Sequence, residues 1–176
     1  GITKLVLPQS GLRVIEGSAF YGTGISGQVT IPSSVTKIGS SAFAGLENMD
    51  KLVFAEQGRK YNLIIDVSAF ANTGISGTLK LPEGLKSIGT NAFINSRKLT
   101  GILALPASLE TLEYGAFRNC TGLESLEFAQ SESKLKTIEG EVFTGSTNIK
   151  GTVMLPPGLQ AMGNNIFGNL TQLEAI

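Results

Sequence analysis

Seven phenylalanines constrain this chain more than any other feature. Phe20, Phe43, Phe70, Phe93, Phe117, Phe143 and Phe167 follow one another at intervals of 23 to 27 residues. A fixed period in this range marks a solenoid or another repeat array, in which no single unit buries its own apolar face. Other columns keep step with the phenylalanines. Each unit opens with an L-x-L element: Leu5/Leu7, Val29/Ile31, Leu52/Phe54, Leu79/Leu81, Leu103/Leu105, Leu126/Phe128 and Val153/Leu155. A proline follows at once in five copies, at Pro8, Pro32, Pro82, Pro106 and Pro156. Next come two apolar residues three apart, such as Val35/Ile38 and Leu85/Ile88, and the second always lies five residues before the phenylalanine. The third copy departs from this, with Asn62 at the first of these positions and Leu63 and Ile64 as its apolar residues.

The L-x-L element alternates as a strand does, and a proline withholding its amide stops a strand. The spacing therefore predicts one short parallel strand per unit, lined up as a continuous sheet along a seven-unit solenoid. Two residues before the phenylalanine stand Ser18, Ser41, Ser68, Asn91 and Asn165, with Gly115 and Glu141 as exceptions. These capping types before Ala-Phe predict a short helical or 3-10 turn on the opposite side, giving an α/β solenoid. Two residues after the phenylalanine every copy has glycine or asparagine: Gly22, Gly45, Asn72, Asn95, Asn119, Gly145 and Asn169. Both residues tolerate the left-handed conformation that closes a helix, so the column is expected to be a C-cap. Gly22, Gly24 and Gly27 also spell G-x-G-x-x-G. A dinucleotide turn needs a strand before the glycines and a helix after them, and here the order is reversed. The glycines are corners of a coil.

Composition removes whole classes of chemistry. Fourteen basic and fourteen acidic residues cancel, and no basic cluster exceeds a dipeptide, which argues against a nucleic-acid surface. No apolar run approaches a membrane span. The chain has no histidine and one cysteine, Cys120, so it holds no His/Cys metal site, no intramolecular disulfide and no Ser-His or Cys-His pair. No cofactor is implied. The acidic column Glu16, Asp66, Glu113 and Glu139 is interrupted by Gly39, Gly89 and Gly163, which argues against a paired-carboxylate hydrolase. Cys120 falls in a column of small or apolar residues and reads as structural. The sequons at Asn119 and Asn169 fall on the cap column, where turn geometry accounts for them.

The stretches AFRNCTGLESLEF (116–128), KLKTIEGEVF (134–143) and LKLPEGLKSIGTNAF (79–93) resemble the leucine-rich repeats of BspA-like surface proteins. The resemblance covers essentially the whole chain. It implies a right-handed leucine-rich-repeat superhelix over residues 1–176, one domain of a longer secreted or cell-surface bacterial protein. Adhesion is the role it suggests, through a protein or glycan ligand that includes host-derived ones, with no enzymatic activity. A structural spacer that displays another domain and an accessory domain of a larger enzyme are the alternatives.

Candidate contacts follow from the alternation. The middle residue of each L-x-L points outward, giving Val6, Thr30, Val53, Lys80, Ala104, Glu127 and Met154. The preceding outward set is Lys4, Gln28, Lys51, Thr78, Ile102, Ser125 and Thr152. Ile102, Ala104 and Met154 make this surface unusually apolar, as a contact surface is. Strand propensity alone would also select such residues. Two units carry extra residues after the strand, AEQGRKYNL (55–63) and AQSESKL (129–135). Extra length in a repeat maps to loops on one face, as a tolerated insertion or a binding element, and Arg59, Lys60 and Tyr61 are the candidates there. No polar capping unit is visible at either end, so exposed apolar ends and end-to-end self-association are expected.

Overall fold

The structure, a computed structural model, describes residues 1–55 and 61–176. Its longest sheet comes from the second apolar element of each unit, not from the L-x-L element. Numbered in chain order, the strands of this sheet are β1 (Val14–Ile15), β3 (Lys37–Ile38), β5 (Leu63–Ile65), β6 (Leu85–Ile88), β8 (Thr111–Leu112), β10 (Thr137–Ile138) and β12 (Ala161–Met162). They run in the order β1-β3-β5-β6-β8-β10-β12, and all are parallel. The register puts Ile15, Ile38, Ile65, Ile88, Leu112, Ile138 and Met162 in one row, the column five residues before each phenylalanine. The odd third copy fits through a bulge: Leu63 pairs with Leu85 and Ile65 with Ile88, so three residues oppose four. Leu63 thereby enters the core, and Ile64 turns outward.

The L-x-L elements alternate in burial as expected, but their ladder is broken. They form three separate pairs: β2 (Gln28–Ile31) with β4 (Lys51–Phe54), β7 (Gly101–Leu105) with β9 (Leu123–Phe128), and β11 (Lys150–Thr152) with β13 (Gln172–Ala175). Both breaks between these pairs fall after the units that carry extra residues in the sequence, at 55–63 and 129–135. The expected single sheet of L-x-L strands is therefore corrected to two systems, one continuous and one interrupted.

The expected helical or 3-10 turns are also absent among the described residues. The columns on both sides of the phenylalanine are left-handed. Ser18, Ser41, Ser68, Asn91, Glu141 and Asn165 have φ of +54° to +57°, and Gly115 has +63°. Gly22, Gly45, Asn72, Asn95, Asn119, Gly145 and Asn169 have φ of +55° to +78°. An N-cap requires extended φ, and a right-handed helix cannot run through such residues. Alternate amides instead bond in two directions. In the first coil Ala19, Tyr21 and Thr23 donate three residues back, to Glu16, Ser18 and Phe20. Ser18, Phe20 and Gly22 donate across to the carbonyls of Ser40, Ala42 and Ala44 at 2.8–3.0 Å. The same three cross-coil bonds recur at every junction, ending with Glu141, Phe143 and Gly145 on Asn164, Ile166 and Gly168. This stack of turns is a second continuous ladder.

Between the two ladders lies the core. The seven phenylalanine rings stack with centroids 5.1–6.0 Å apart and interplanar angles of 0–21°. Phe43, Phe70, Phe93, Phe117 and Phe143 are fully buried. Burying each is worth roughly 1.5–3 kcal/mol before ordering is charged. Close stacking also explains the glycines of the acidic column. A Cβ on Gly89 would lie 2.7 Å from the Asp66 carbonyl carbon of the coil before it. Carboxylates at this column reach to neighbouring backbone: Glu113 Oε2 accepts from the Thr90 amide at 2.9 Å, and Glu139 Oε2 from that of Tyr114 at 2.9 Å.

Candidate functional site

The first break in the L-x-L ladder opens a groove of about 1040 Å³. One wall is β4 with Ala55 and Tyr61. The floor is the L-x-L segment of the next coil, Thr78 to Leu81, continuing into Pro82 and Glu83, and the far side carries Ile102, Ala104 and Glu127. Segment 78–81 is not a strand, although Leu79 stays in the core. An isolated bridge, Gly77↔Leu99, lies just before it. Among the described residues, Thr78 to Leu81 make no backbone hydrogen bond. β4 pairs only with β2, and β7 only with β9. Two strand edges therefore face the groove without a partner strand.

Tyr61 fixes the wall. Its side chain is buried, its ring meets Phe54 edge-on at 6.0 Å, and its hydroxyl donates to the Ile31 carbonyl at 2.7 Å, with that of Ala55 at 3.1 Å. Burial pushes the phenol up to about 12, against the opposing effect of the Ala55 bond. The backbone of Tyr61 packs so closely on Gly84 that a Cβ there would overlap its carbonyl, and Gly84 is held at φ +88°. The Tyr61 and Leu63 amides donate to Glu83 and Gly84 at 3.0 and 3.1 Å, tying the loop's end to the next coil.

The floor and walls offer aliphatic and charged groups. Val53 is half-buried, while Ile102 and Ala104 are exposed. Lys51, Lys80, Glu83 and Glu127 supply the charges. Among the described residues the ion pairs are Lys37–Asp66, Lys86–Glu110 and Arg118–Glu141, so none of these four charges pairs with a described residue.

Seven of the outward residues read from the sequence thus share one groove: Lys51, Val53, Thr78, Lys80, Ile102, Ala104 and Glu127. The others do not, Val6, Met154 and Thr30 among them. Val6 (76% exposed) and Met154 (66%) lie toward opposite ends of the coil, and Thr30 sits half-buried on β2. Tyr61 lines the groove as a buried anchor, whereas Arg59 and Lys60 lie outside the described residues. Sequence reasoning missed Ala55, Leu81, Pro82 and Glu83. The long loop just after β4 was the signal that could have found them.

The column of Cys120 proves to be more specific than small or apolar. Cys120 Sγ donates to the Phe93 carbonyl at 3.2 Å, and Ser146 Oγ donates to that of Phe117 at 2.9 Å. Thr73 Oγ1 donates to Phe70 at 3.1 Å, while Leu46 and Leu170 do without such a bond. Cys120 is fully buried, and burial pushes its thiol up to about 12, away from the exposed thiolate character of a reactive cysteine. The asparagine column forms a ladder of its own. Asn95 Nδ2 donates to Asn72 Oδ1 at 2.8 Å, and Asn119 Nδ2 to Asn95 Oδ1 at 3.1 Å. The sequon nitrogen of Asn119 is therefore occupied. Among the described residues no helix is long and apolar enough to cross a membrane, and no cluster of metal-binding side chains forms.

These features define a parallel β-solenoid of repeated coils with a groove set into its interrupted face. The BspA type leucine rich repeat region matches residues 1–63 and 63–176 in six copies, and the chain belongs to that family. No curated protein matches it. Among solved structures it is similar to a leucine-rich-repeat protein of T. pallidum, at 25% identity and a TM-score of 0.77. That match covers 95% of this chain and 76% of the other. It also shares the fold of a leucine-rich cell surface protein of Faecalibacterium prausnitzii, at 18% identity and a TM-score of 0.63. There the coverage is 93% of this chain and 43% of the other.

Proposed function

We propose that the chain is a non-enzymatic binding module of a bacterial cell-surface or secreted protein, taking a protein ligand in the groove over β4 and β7. One observation carries the reading. The groove opens where the ladder breaks, and there the fold leaves aliphatic side chains and four charges without an ion-pair partner among the described residues facing solvent together. Exposed apolar surface rimmed by charge is the composition of a contact site. The similarity to a protein named as a cell surface protein supports the location. The use of the acidic column and Cys120 in backbone bonds supports a role without catalysis.

An array of extracellular-matrix proteins and glycans, probed with the chain and with Ala104→Arg, tests this. Ala104 is exposed, so arginine there fills the groove without disturbing the core. Binding to protein spots that falls at least about tenfold in the variant is the expected result, as for loss of a central contact. Binding to no spot, or equal binding by the variant, would overturn the assignment in favour of a structural spacer.

A further inference from the structure

We infer that Gln130 is a latch: its side-chain amide holds the L-x-L face shut between the sixth and seventh coils, and releasing it opens that face while the other two ladders stay joined. The joint is written into the residue that follows each L-x-L element. In a parallel ladder the amide at this place donates to the last carbonyl of the element one coil back, as Ala55 does to Ile31 at 2.9 Å. Ala129 holds the same place in the sixth coil, whose strand β9 pairs with β7 through to Leu105↔Phe128. In the second, fourth, fifth and seventh coils the place belongs to Pro32, Pro82, Pro106 and Pro156. Among the described residues, none of these coils pairs its L-x-L element with that of the coil before it. A proline has no amide to give. The two coils with extra residues are also the two with alanine.

Gln130 supplies what Pro156 lacks. It stands two residues past Phe128, and its Nε2 donates to the Phe128 carbonyl at 2.9 Å, the group that Pro156 cannot serve. The same nitrogen reaches across the joint to the Met154 carbonyl at 3.0 Å. The device recurs in the same column. Gln9, two residues past Leu7 and one coil before Pro32, donates through Nε2 to the Leu7 carbonyl at 3.2 Å. Among the described residues no backbone hydrogen bond joins 126–129 to 152–156, so a side chain ties this face together. The segment that carries Gln130 is anchored beyond it, with the Lys134 amide on the Ala107 carbonyl at 2.9 Å and Leu135 in the core. Gln130 itself is exposed, so water takes over its amide when it lets go. At the same junction the continuous sheet stays paired at Thr137↔Ala161 and Ile138↔Met162, and the turn stack through Glu141, Phe143 and Gly145. These two ladders are the pivot.

Thiol labelling reads the opening. Leu126→Cys puts a thiol on β9, the strand that borders the joint, at a position 5% exposed. Cys120, fully buried in the same coil with its Sγ on the Phe93 carbonyl, is the built-in reference. The labelling rate of each thiol is followed by mass spectrometry of the intact chain under native conditions. Gln130→Ala should speed labelling of the introduced thiol about tenfold, as the loss of two amide bonds does, and leave Cys120 unchanged. Adding Pro156→Ala, which restores an amide opposite the Phe128 carbonyl, should bring the rate back toward that of the chain with Gln130. Equal labelling with and without Gln130 would overturn the latch. So would a rise at both thiols together, because that is lost stability of the whole fold and not the opening of one face. A Gln130→Ala effect that Pro156→Ala fails to reverse would overturn the tracing of the joint to the missing amide.

Discussion

At the residue scale, conformation decides more than contact. Asn95 sits at φ +61° and links Asn72 to Asn119. The left-handed region costs an ordinary residue roughly 1–2 kcal/mol, and glycine almost nothing. Asn95→Ala should therefore destabilise the chain by about 2 kcal/mol in urea titration, through strain and the lost ladder bonds. Asn95→Gly should lose only the ladder bonds, about half as much. Equal losses would show that the conformation carries no strain. The glycine/asparagine column was legible because those residues announce positive φ. The column before the phenylalanine was not. Serine suggests a helix cap, and only the cross-coil bonds, such as Ser18 to Ser40 at 2.8 Å, hold it left-handed.

Two buried acids give a pH signature at the same scale. Burial raises the Cys120 thiol from its ordinary 9.0 to about 12, and the Tyr61 phenol from 10.0 to about 12. A group whose folded value is raised stabilises the fold fully below its unfolded value and ceases to do so as pH climbs through the folded one. The thermal midpoint, followed by circular dichroism, should thus hold below about pH 9 and fall progressively toward pH 12. Cys120→Ser keeps a donor for the Phe93 carbonyl and removes the thiol, so it should flatten the first part of that fall, between pH 9 and 10. A midpoint unchanged from pH 9 to 12 would mean that neither group is sequestered in solution.

At the element scale, the phenylalanine spine is the coupling between coils. Phe93 stacks on Phe70 at 5.2 Å and on Phe117 at 5.1 Å, and its amide donates to Ala116 at 2.8 Å. Truncating a buried phenylalanine costs about 3–5 kcal/mol through lost transfer energy and the cavity left behind. In a solenoid that loss falls on two junctions at once, because each repeat contacts only its neighbours. Phe93→Ala should lower the thermal midpoint sharply and split the transition, with the coils on either side melting apart. A single transition displaced by less than the equivalent of about 1 kcal/mol would show that the two backbone ladders, not the spine, join the coils. The spine was readable from the first inspection of the sequence. The main sheet was not, since strands of two residues with apolar partners three apart leave no alternation to detect, whereas the longer L-x-L strands advertise theirs.

At the scale of the whole molecule, two uninterrupted ladders run beside one that is broken, and at its first break Thr78 to Leu81 make no backbone hydrogen bond among the described residues. The sequence showed the cause, an insertion recurring after 74 residues, but not the consequence, since register across coils depends on how extra length is absorbed in three dimensions. Hydrogen exchange reads this difference directly, because protection follows the hydrogen bond and the free energy of opening it. The amides of Phe70 and Phe93, both bonded across coils at 2.8 Å, should be among the slowest in the chain. Those of Thr78 to Leu81 should exchange near their unprotected rates even though the side chain between them, Leu79, is 3% exposed. The contrast separates side-chain burial from backbone pairing within one coil. Slow exchange across residues 78–81 in the free chain would mean that the ladder closes in solution, leaving no open edge for a ligand. Fast exchange there, while the spine amides stay protected, would show that the backbone at the break is open in solution although the side chain of Leu79 is buried.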